Sequence, residues 1–291
     1  MRVLNFGSIN VDTVFRVASI ARPGETIAAS DVHRFAGGKG ANQSVALARA
    51  GAEVFHAGVV GPDGQWAVDL LRDAGVDTSL IVVGESCRTG SAFIQVADDG
   101  QNAIVLDPGG NHAITPAHIE RAFAAFLPGD VLLLQNEVND VPALLRAGKQ
   151  RGMTIMFNPA PMTPAAHAYP LDLVDVLIVN EHESEQLSGT SDPTAALALL
   201  PARERLITLG DRGVLVHDGT RTFTCPATRV TAVDTTSAGD TFIGYFIAAR
   251  LRGASMSDAA ALACRAAAVC VTTLGAMNSI PSLTAVQAAR F

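Results

Sequence analysis

Short apolar, β-rich runs alternate with helical patterns along most of this chain, and that alternation restricts its fold more than any other feature. Strands are predicted near 3–9, 53–60, 131–134, 154–157, 176–179 and 205–209, with helices near 40–50, 64–74, 116–126, 140–151 and 182–188. Such an order implies an α/β chain with a mostly parallel sheet covered by helices on both faces. Two segments interrupt it, 11–35 and 87–107. There the period-two stretches Thr13–Val17 and Ser91–Val96 predict antiparallel strands that together form a small lid. After 238 the pattern becomes mostly helical. No repeat, low-complexity tract or linker divides the 291 residues, so 1–291 is expected to be one domain.

Composition narrows the partners. A hydrophobic content of 48% is ample for a buried core, and the formal charge of −7 without a basic tract argues against nucleic acid. A small-molecule substrate is expected. Cys87, Cys225, Cys264 and Cys270 lack metal-binding spacing, which predicts buried reduced thiols and a cytoplasmic enzyme. The start lacks the basic and apolar regions of a signal peptide, and Arg265 breaks the alanine-rich run at 259–274, so no membrane association is expected.

The stretch Ala232–Phe242 carries the chemistry. Polar and glycine residues run there directly into the apolar helical pattern Phe242, Tyr245, Phe246 and Ala249. Ser237 and Asp240 fit a helix capping box, which is the plain structural reading. Capping leaves Gly239 unexplained, a poor helix former inside the first turn, and also Asp234, a second carboxylate before two threonines. Small residues at a helix start expose N–H groups that have no intrahelical partner, which makes an anion site. With Asp240 beside it, that site suits phosphoryl transfer to a hydroxyl.

Gly37-Gly-Lys-Gly-Ala-Asn-Gln43 is a second glycine turn leading into a helix. It is not a Walker P-loop, because Gly40 follows the lysine and the required spacing is absent. Lys39 is one of only two lysines in the chain, and Asn42, about a turn later, can share its space; the pair suits hydroxyl recognition. The first strand is expected to end in Asn10 and Asp12 on one face, at the carboxyl end where open α/β sheets bind ligands. Asn180 and Glu183 follow the run Val176–Val179 in the same way, although an Asn cap with acids in the first turn explains them equally well. His182 reads as a surface residue.

Together, Gly7-Ser-Ile-Asn-Val-Asp12, Gly37–Gln43, Gly61-Pro-Asp-Gly64, Asn158-Pro-Ala-Pro161, Asn180-Glu-His-Glu183, Thr208-Leu-Gly-Asp-Arg-Gly213 and Val233–Phe242 resemble, in order and end to end, the ribokinase or PfkB family of sugar kinases. The resemblance implies a three-layer sandwich with a β-lid over the sugar and a homodimer in which two lids pair. It implies ATP-dependent phosphorylation of a sugar hydroxyl, with D-ribose as the first candidate acceptor. A nucleoside, fructose or a ketodeoxy sugar acid is the alternative within the family, and a non-catalytic sugar or nucleotide sensor the alternative outside it.

Residue by residue, the resemblance makes Asp240 the base and gives the N–H groups of Ser237, Ala238 and Gly239 to the transferred phosphoryl group. Asn10, Asp12, Gly38, Lys39, Asn42 and Glu137 would hold the sugar. Asn180 and Glu183 would organise Mg2+ and phosphate largely through water, and Thr208, Gly210 and Gly213 would form the nucleotide loop. Cys264 stands near the adenine, where relatives often carry Asn or His. Asp234, Thr236, Thr273, Gly275 and Ser279 match positions that supply oxygens to an activating K+.

Overall fold

The computed structural model describes residues 1–291 and places the apolar runs at the centre of a large sheet. The chain passes through β1 (Val3–Phe6), β2 (Asn10–Val17), β3 (Asp31–Gly37), α1 (Lys39–Arg49), β4 (Val54–Val60), α2 (Gln65–Asp73), β5 (Asp77–Val83), β6 (Gly90–Ala97) and β7 (Asn102–Asp107). It continues through α3 (Pro116–Ala124), β8 (Val131–Gln135), α4 (Val141–Gln150), β9 (Thr154–Asn158), β10 (Val176–Asn180), α5 (Glu181–Ser188), α6 (Pro193–Leu199) and β11 (Glu204–Thr208). The last elements are β12 (Val214–His217), β13 (Thr222–Cys225), α7 (Ala238–Leu251), α8 (Met256–Cys270) and α9 (Leu283–Ala288).

The nine-stranded sheet runs β13-β12-β11-β10-β9-β8-β1-β4-β5. Strands β5 to β11 in that order are parallel, and β12 and β13 add an antiparallel edge. Alternate side chains enter separate cores: Val131, Leu133, Val176 and Ile178 pack on the side of α1, α7 and α8, while Leu132, Leu134, Leu177 and Val179 pack on the other. That division explains why these runs contain no polar position, since both faces are buried. No helix is long and apolar enough to cross a membrane.

A separate four-stranded sheet, β3-β2-β6-β7, forms from the two interrupting segments. The expectation of antiparallel strands holds for the hairpins β2–β3 and β6–β7, but β2 and β6, which join them, run parallel. A second correction concerns the strand expected over 3–9, because β1 stops at Phe6. Gly7 N–H still donates to Ala57 O of β4, but from Ser8 the backbone bonds out of the sheet: Ala41 N–H donates to Ser8 O at 2.8 Å, and Ile9 N–H to Asn111 Oδ1 at 2.9 Å. Asn10 and Asp12 therefore lie on the lid strand β2 and not at the end of a central strand.

Helices α1 and α7 pack closely, since a Cβ on Gly244 would lie 2.4 Å from Ala46 Cβ. This contact aligns the two helix starts side by side. It thereby brings the glycine turn and the Asp240 loop, nearly 200 residues apart, into one place.

Candidate active site

Gly38 precedes α1 at φ 91, in the left-handed region, with Ser8 O and Asn10 N only 3.0 Å from where a Cβ would stand. Both constraints call for glycine. The start of α1 has no cap from its own residues. Instead Glu137, just beyond β8, accepts the Lys39 N–H at 3.0 Å and the Ser8 hydroxyl, while Gly40 N–H donates to Ser8 Oγ at 3.1 Å. Glu137 thus braces a helix start distant in sequence. Its Oε1 also lies 4.0 Å from Lys39 Nζ.

Asp240 sits in the first turn of α7 with both carboxylate oxygens engaged. Asn42 Nδ2 donates to Oδ2 at 3.0 Å and Gln43 Nε2 to Oδ1 at 2.9 Å. The expected capping box is absent: Ser237 lies at φ 61 and its side chain makes no cap bond. Asp240 cannot serve as a capping partner because it faces α1. Burial raises its pKa, opposed by the Lys39 ammonium and the two amide donors and reinforced by the Glu137 carboxylate. Lys39 would lose basicity through burial, but the carboxylates of Glu137, Asp240, Glu183 and Asp12 hold it above its ordinary value.

Two cavities meet at the start of α7. One of about 170 Å³ is lined by Lys39, Asn158, Asn180, Glu183, Ser237 and Asp240 among others. The larger, about 830 Å³, is lined by Thr208, Gly210, Gly213, Ala238, Phe242 and Cys264 among others, and Gly239 and Thr208 belong to both. A Cβ on Gly239 would meet nothing within 4 Å, so that residue faces open space. Gly213, at φ 100 with a Cβ position 2.1 Å from Cys225 O, keeps the wall of the larger cavity close to β13. The neighbouring Cys264 thiol holds Cys225 low, at about 7, while Cys225 and burial raise Cys264 itself. All four cysteines are free thiols, two buried and two half-buried.

Of the three N–H groups expected at the anion site, that of Ala238 already bonds Thr235 O at 3.3 Å, whereas those of Ser237 and Gly239 make no backbone bond. Ser237 Oγ and Thr241 Oγ1 are buried without a protein partner. Asn180 and Glu183 do form the capping box of α5, each accepting the other's backbone N–H at 2.8 and 2.9 Å. Glu183 nevertheless borders the smaller cavity, and burial raises its pKa against the pull of the Asn180 N–H and Lys39. His182 is exposed.

On the lid side, Asp12 lies in β2 opposite Phe35 of β3 and Ala92 of β6. Burial, with Glu137 next and Asp240 adding, drives its pKa up to about 7 against the pull of Lys39. Asp12 Oδ1 and Asn42 Oδ1 are buried without a partner, while Asn10 Oδ1 accepts from Asn111 Nδ2 at 2.7 Å. A ligand that donates several hydroxyls would satisfy the two unpartnered oxygens.

Asp234 ties two loops together, its Oδ1 accepting Thr236 N–H and its Oδ2 accepting Gly275 N–H, both at 2.9 Å. Burial would raise this carboxyl, yet the Thr236 hydroxyl and the two backbone donors hold it below its ordinary value. Ser279 Oγ bonds Ala276 O at 2.7 Å, and Thr273 N–H bonds Cys270 O. No three His, Cys, Asp or Glu side chains gather in a metal-binding cluster anywhere in the chain.

A family model described as pfkB family carbohydrate kinase matches residues 2–283. The chain belongs to the PfkB family of carbohydrate kinases. It is 36% identical to a ribokinase of Staphylococcus aureus, with 97% of each chain covered. Among solved structures, the ribokinase of Cryptococcus neoformans in complex with ADP aligns at a TM-score of 0.88 and 36% identity, over 98% of both chains. Arabidopsis thaliana ribokinase complexed with ribose and ATP aligns at a TM-score of 0.88 and 29% identity, over 98% of this chain and 97% of that one. The sheet, flanking helices and separate small sheet of this PfkB member match those ribokinase structures.

Three residues of the site escaped the sequence reading: Gln43, Ser8 and Asn158. Asn42, Gln43 and Ser44 are consecutive polar residues in a helix that between its terminal Lys39 and Arg49 is otherwise small and apolar, and all three are buried. That run was the signal available for Gln43.

Proposed function

We propose that this chain is an ATP-dependent ribose kinase that transfers the γ-phosphoryl group to give ribose 5-phosphate. The observation that carries the proposal is the placement of Asp240 in the smaller cavity, next to Gly239 where the two cavities meet, and bonded to Asn42, whose Oδ1, like that of Asp12, is unpartnered. On this reading Asp240 accepts the proton of the attacking sugar hydroxyl as its oxygen bonds the γ-phosphorus and ADP departs. Ser237 and Gly239, with Ala238 after a small shift of its long bond, give N–H groups to the charge on the phosphoryl group, and Lys39 adds a positive charge. Asn10, Asp12, Gly38, Lys39, Asn42 and Glu137 hold the sugar. Thr208, Gly210, Gly213 and Cys264 line the nucleotide's cavity.

Mg2+ accompanies ATP, held through water by Asn180 and Glu183. The scarcity of carboxylates there suits an ion that keeps several waters. K+ takes oxygens from Asp234, Thr236, Thr273, Gly275 and Ser279, and one carboxylate among neutral oxygens suits a monovalent ion. The whole of 1–291 acts as one kinase domain in the cytoplasm, with 11–35 and 87–107 as its lid. Val32, Phe93 and Val105 lie exposed on one face of that lid and Ile104 and Leu106 on the face of Asp12, and this apolar exposure supports pairing of two lids in a homodimer. Incubation with ATP, MgCl2, KCl and D-ribose should release ADP and ribose 5-phosphate in equal amounts, seen together by phosphorus NMR. Release of ADP that ribose does not accelerate would refute the proposal.

A further inference from the structure

The Gln43 side chain bonds neither the sugar's nor the nucleotide's proposed ligands, yet it is fully buried and bonds the base directly. Its Nε2 donates to Asp240 Oδ1 at 2.9 Å and lies 3.3 Å from Asn158 Oδ1. Its Oε1 accepts from Gln135 Nε2 at 2.6 Å. An amide can in principle rotate by half a turn and exchange these atoms, which would set a carbonyl oxygen against the carboxylate. Neighbouring bonds forbid the exchange, and each of them ends on a group with one possible role.

Asn158 cannot flip, because its Nδ2 donates at 2.9 Å to Ile178 O, a backbone carbonyl that only accepts. Its Oδ1 must therefore face Gln43, and only a donor can answer it. Gln135 is fixed through Asn5. Asn5 Nδ2 donates to Gly40 O and Ser44 Oγ, both at 2.8 Å, so its Oδ1 must accept from Gln135 Nε2 at 3.0 Å. The Ser44 hydroxyl passes to His56 Nδ1 at 2.8 Å, and His56 Nε2–H ends on Gly7 O at 3.1 Å. Burial holds His56 down at about 4, so the ring stays neutral and this single tautomer satisfies both bonds. Asn5, Gln43, Ser44, His56 and Gln135 are all at most 1% exposed, so water does not compete for these bonds.

We propose that Gln43 is a positioning residue for Asp240, setting the plane of the base's carboxylate from the buried side, and that Gln135 acts through Gln43 by fixing its amide. Asn42 holds the other oxygen from the side of the sugar, so the carboxylate is clamped at both ends. This inference rests on Asp240 as the base but not on the choice of sugar. It adds a requirement that sugar contacts alone do not impose: the buried polar row behind α1 must stay intact for turnover while binding remains unaffected.

The test uses Gln43→Met, Gln135→Met and the double variant, since methionine keeps the length of glutamine without its donors. Rates are measured with whichever acceptor the wild type turns over best, so a wrong choice of sugar leaves the comparison intact. Misplacing a reacting group costs on the order of 10²-fold, so Gln43→Met should lose roughly 10- to 100-fold in kcat with KM for the acceptor within about twofold. Gln135→Met should lose less, and the double variant no more than Gln43→Met alone, as expected of residues acting in series.

The acid limb of kcat should also move to higher pH in Gln43→Met, because a donor to the carboxylate is gone. The other groups facing Asp240 are unchanged in that comparison: Lys39 of α1, Glu137 after β8, Asp12 of β2, Glu183 of α5 and Cys270 of α8. Kinetic losses that multiply in the double variant, or a folded Gln43→Met with wild-type kcat and acid limb, would overturn the proposal. Should Gln43→Met fail to fold, a folded Gln135→Met with unchanged kcat overturns it equally. A wild type inactive on every acceptor would refute the kinase reading and this inference together.

Discussion

Asn42 Nδ2 donates to Asp240 Oδ2 at 3.0 Å, joining the first turns of α1 and α7 through the carboxylate assigned as the base. Because Gln43 also donates to Asp240, an asparagine at 240 can accept from only one of the two amides. Asp240→Asn should therefore lose ~10²- to 10⁴-fold in kcat, the usual contribution of a general base, with a smaller rise in KM for ribose. Leaving one donor unpaired should also cost ~1–3 kcal/mol of stability, read as a lowered melting temperature. Turnover within about threefold of wild type would remove Asp240 from the base role.

Gly239 separates stability from function. It lies inside α7 with open space where a Cβ would stand, so Gly239→Ala meets no clash and should stabilise the helix by ~0.5–1 kcal/mol. The added methyl would project where the two cavities meet. Thermal melts should rise slightly while kcat/KM for ATP falls at least about tenfold, the price of crowding the phosphoryl group out of line. A variant that is both more stable and fully active would show that the phosphoryl group does not approach this turn.

Asp12 gives a pH signature. Its carboxyl holds a proton up to about 7 when folded, chiefly because of burial, against an ordinary value of 3.8. Between those values the folded chain binds more protons than the unfolded one, so this group's contribution makes stability fall as pH rises through the window. The loss is complete above about pH 7 and is on the order of 4 kcal/mol at most. Asp12→Asn should match wild type in melting temperature near pH 4 and exceed it at pH 8 by several degrees, at roughly 2 °C per kcal/mol for a chain of this size. Its KM for ribose should rise far more than its KM for ATP. A melting difference independent of pH would contradict the assigned protonation.

Asp234 joins the loop before α7 to the loop after α8 through its bonds to Thr236 and Gly275. A cation among these oxygens would stiffen the turn that carries Ser237 and Gly239. Turnover should be several-fold higher in KCl than in NaCl at matched ionic strength, and Asp234→Ala should abolish the difference. Equal rates of the wild type in the two salts would count against the cation site.

Much of this organisation was legible in the sequence, because patterns with one physical cause are readable. The central strands declared themselves since burial on both faces leaves only apolar residues, as in Val131–Leu134. The strand β13 and the short helix α6 lie at or near the sheet's antiparallel edge, where only part of each element is buried and the pattern weakens, and β12, although buried over Val214–Val216, is only four residues long. Asn10 and Asp12 read as the end of a central strand because alternation continues through residues 7–9, whereas the backbone bonds that divert the chain to α1 leave no trace in polarity. Ser237 and Asp240 had the spacing of a capping box, yet the actual partners of Asp240 lie nearly 200 residues earlier. Local spacing cannot register a bond made by packing two helices together. The same limit hid Gln43, whose partners Gln135 and Asn158 come from β8 and β9.

The most direct measurement is a side-by-side comparison of kcat/KM for D-ribose, fructose, ribose 5-phosphate and adenosine, with ATP, Mg2+ and K+ saturating. The group Asn10, Asp12, Lys39, Asn42 and Glu137 offers carboxylates, amides and one ammonium but no arginine pair, which favours an uncharged polyol over a phosphorylated one. A site built to bond hydroxyls discriminates strongly when a partner is missing, since its own buried groups are then unpaired. Ribose is expected to exceed every other acceptor by at least about 10²-fold, with ribose 5-phosphate as the product. A higher kcat/KM for adenosine or fructose would contradict the assignment of ribose, and no ADP release with any acceptor would contradict kinase activity itself.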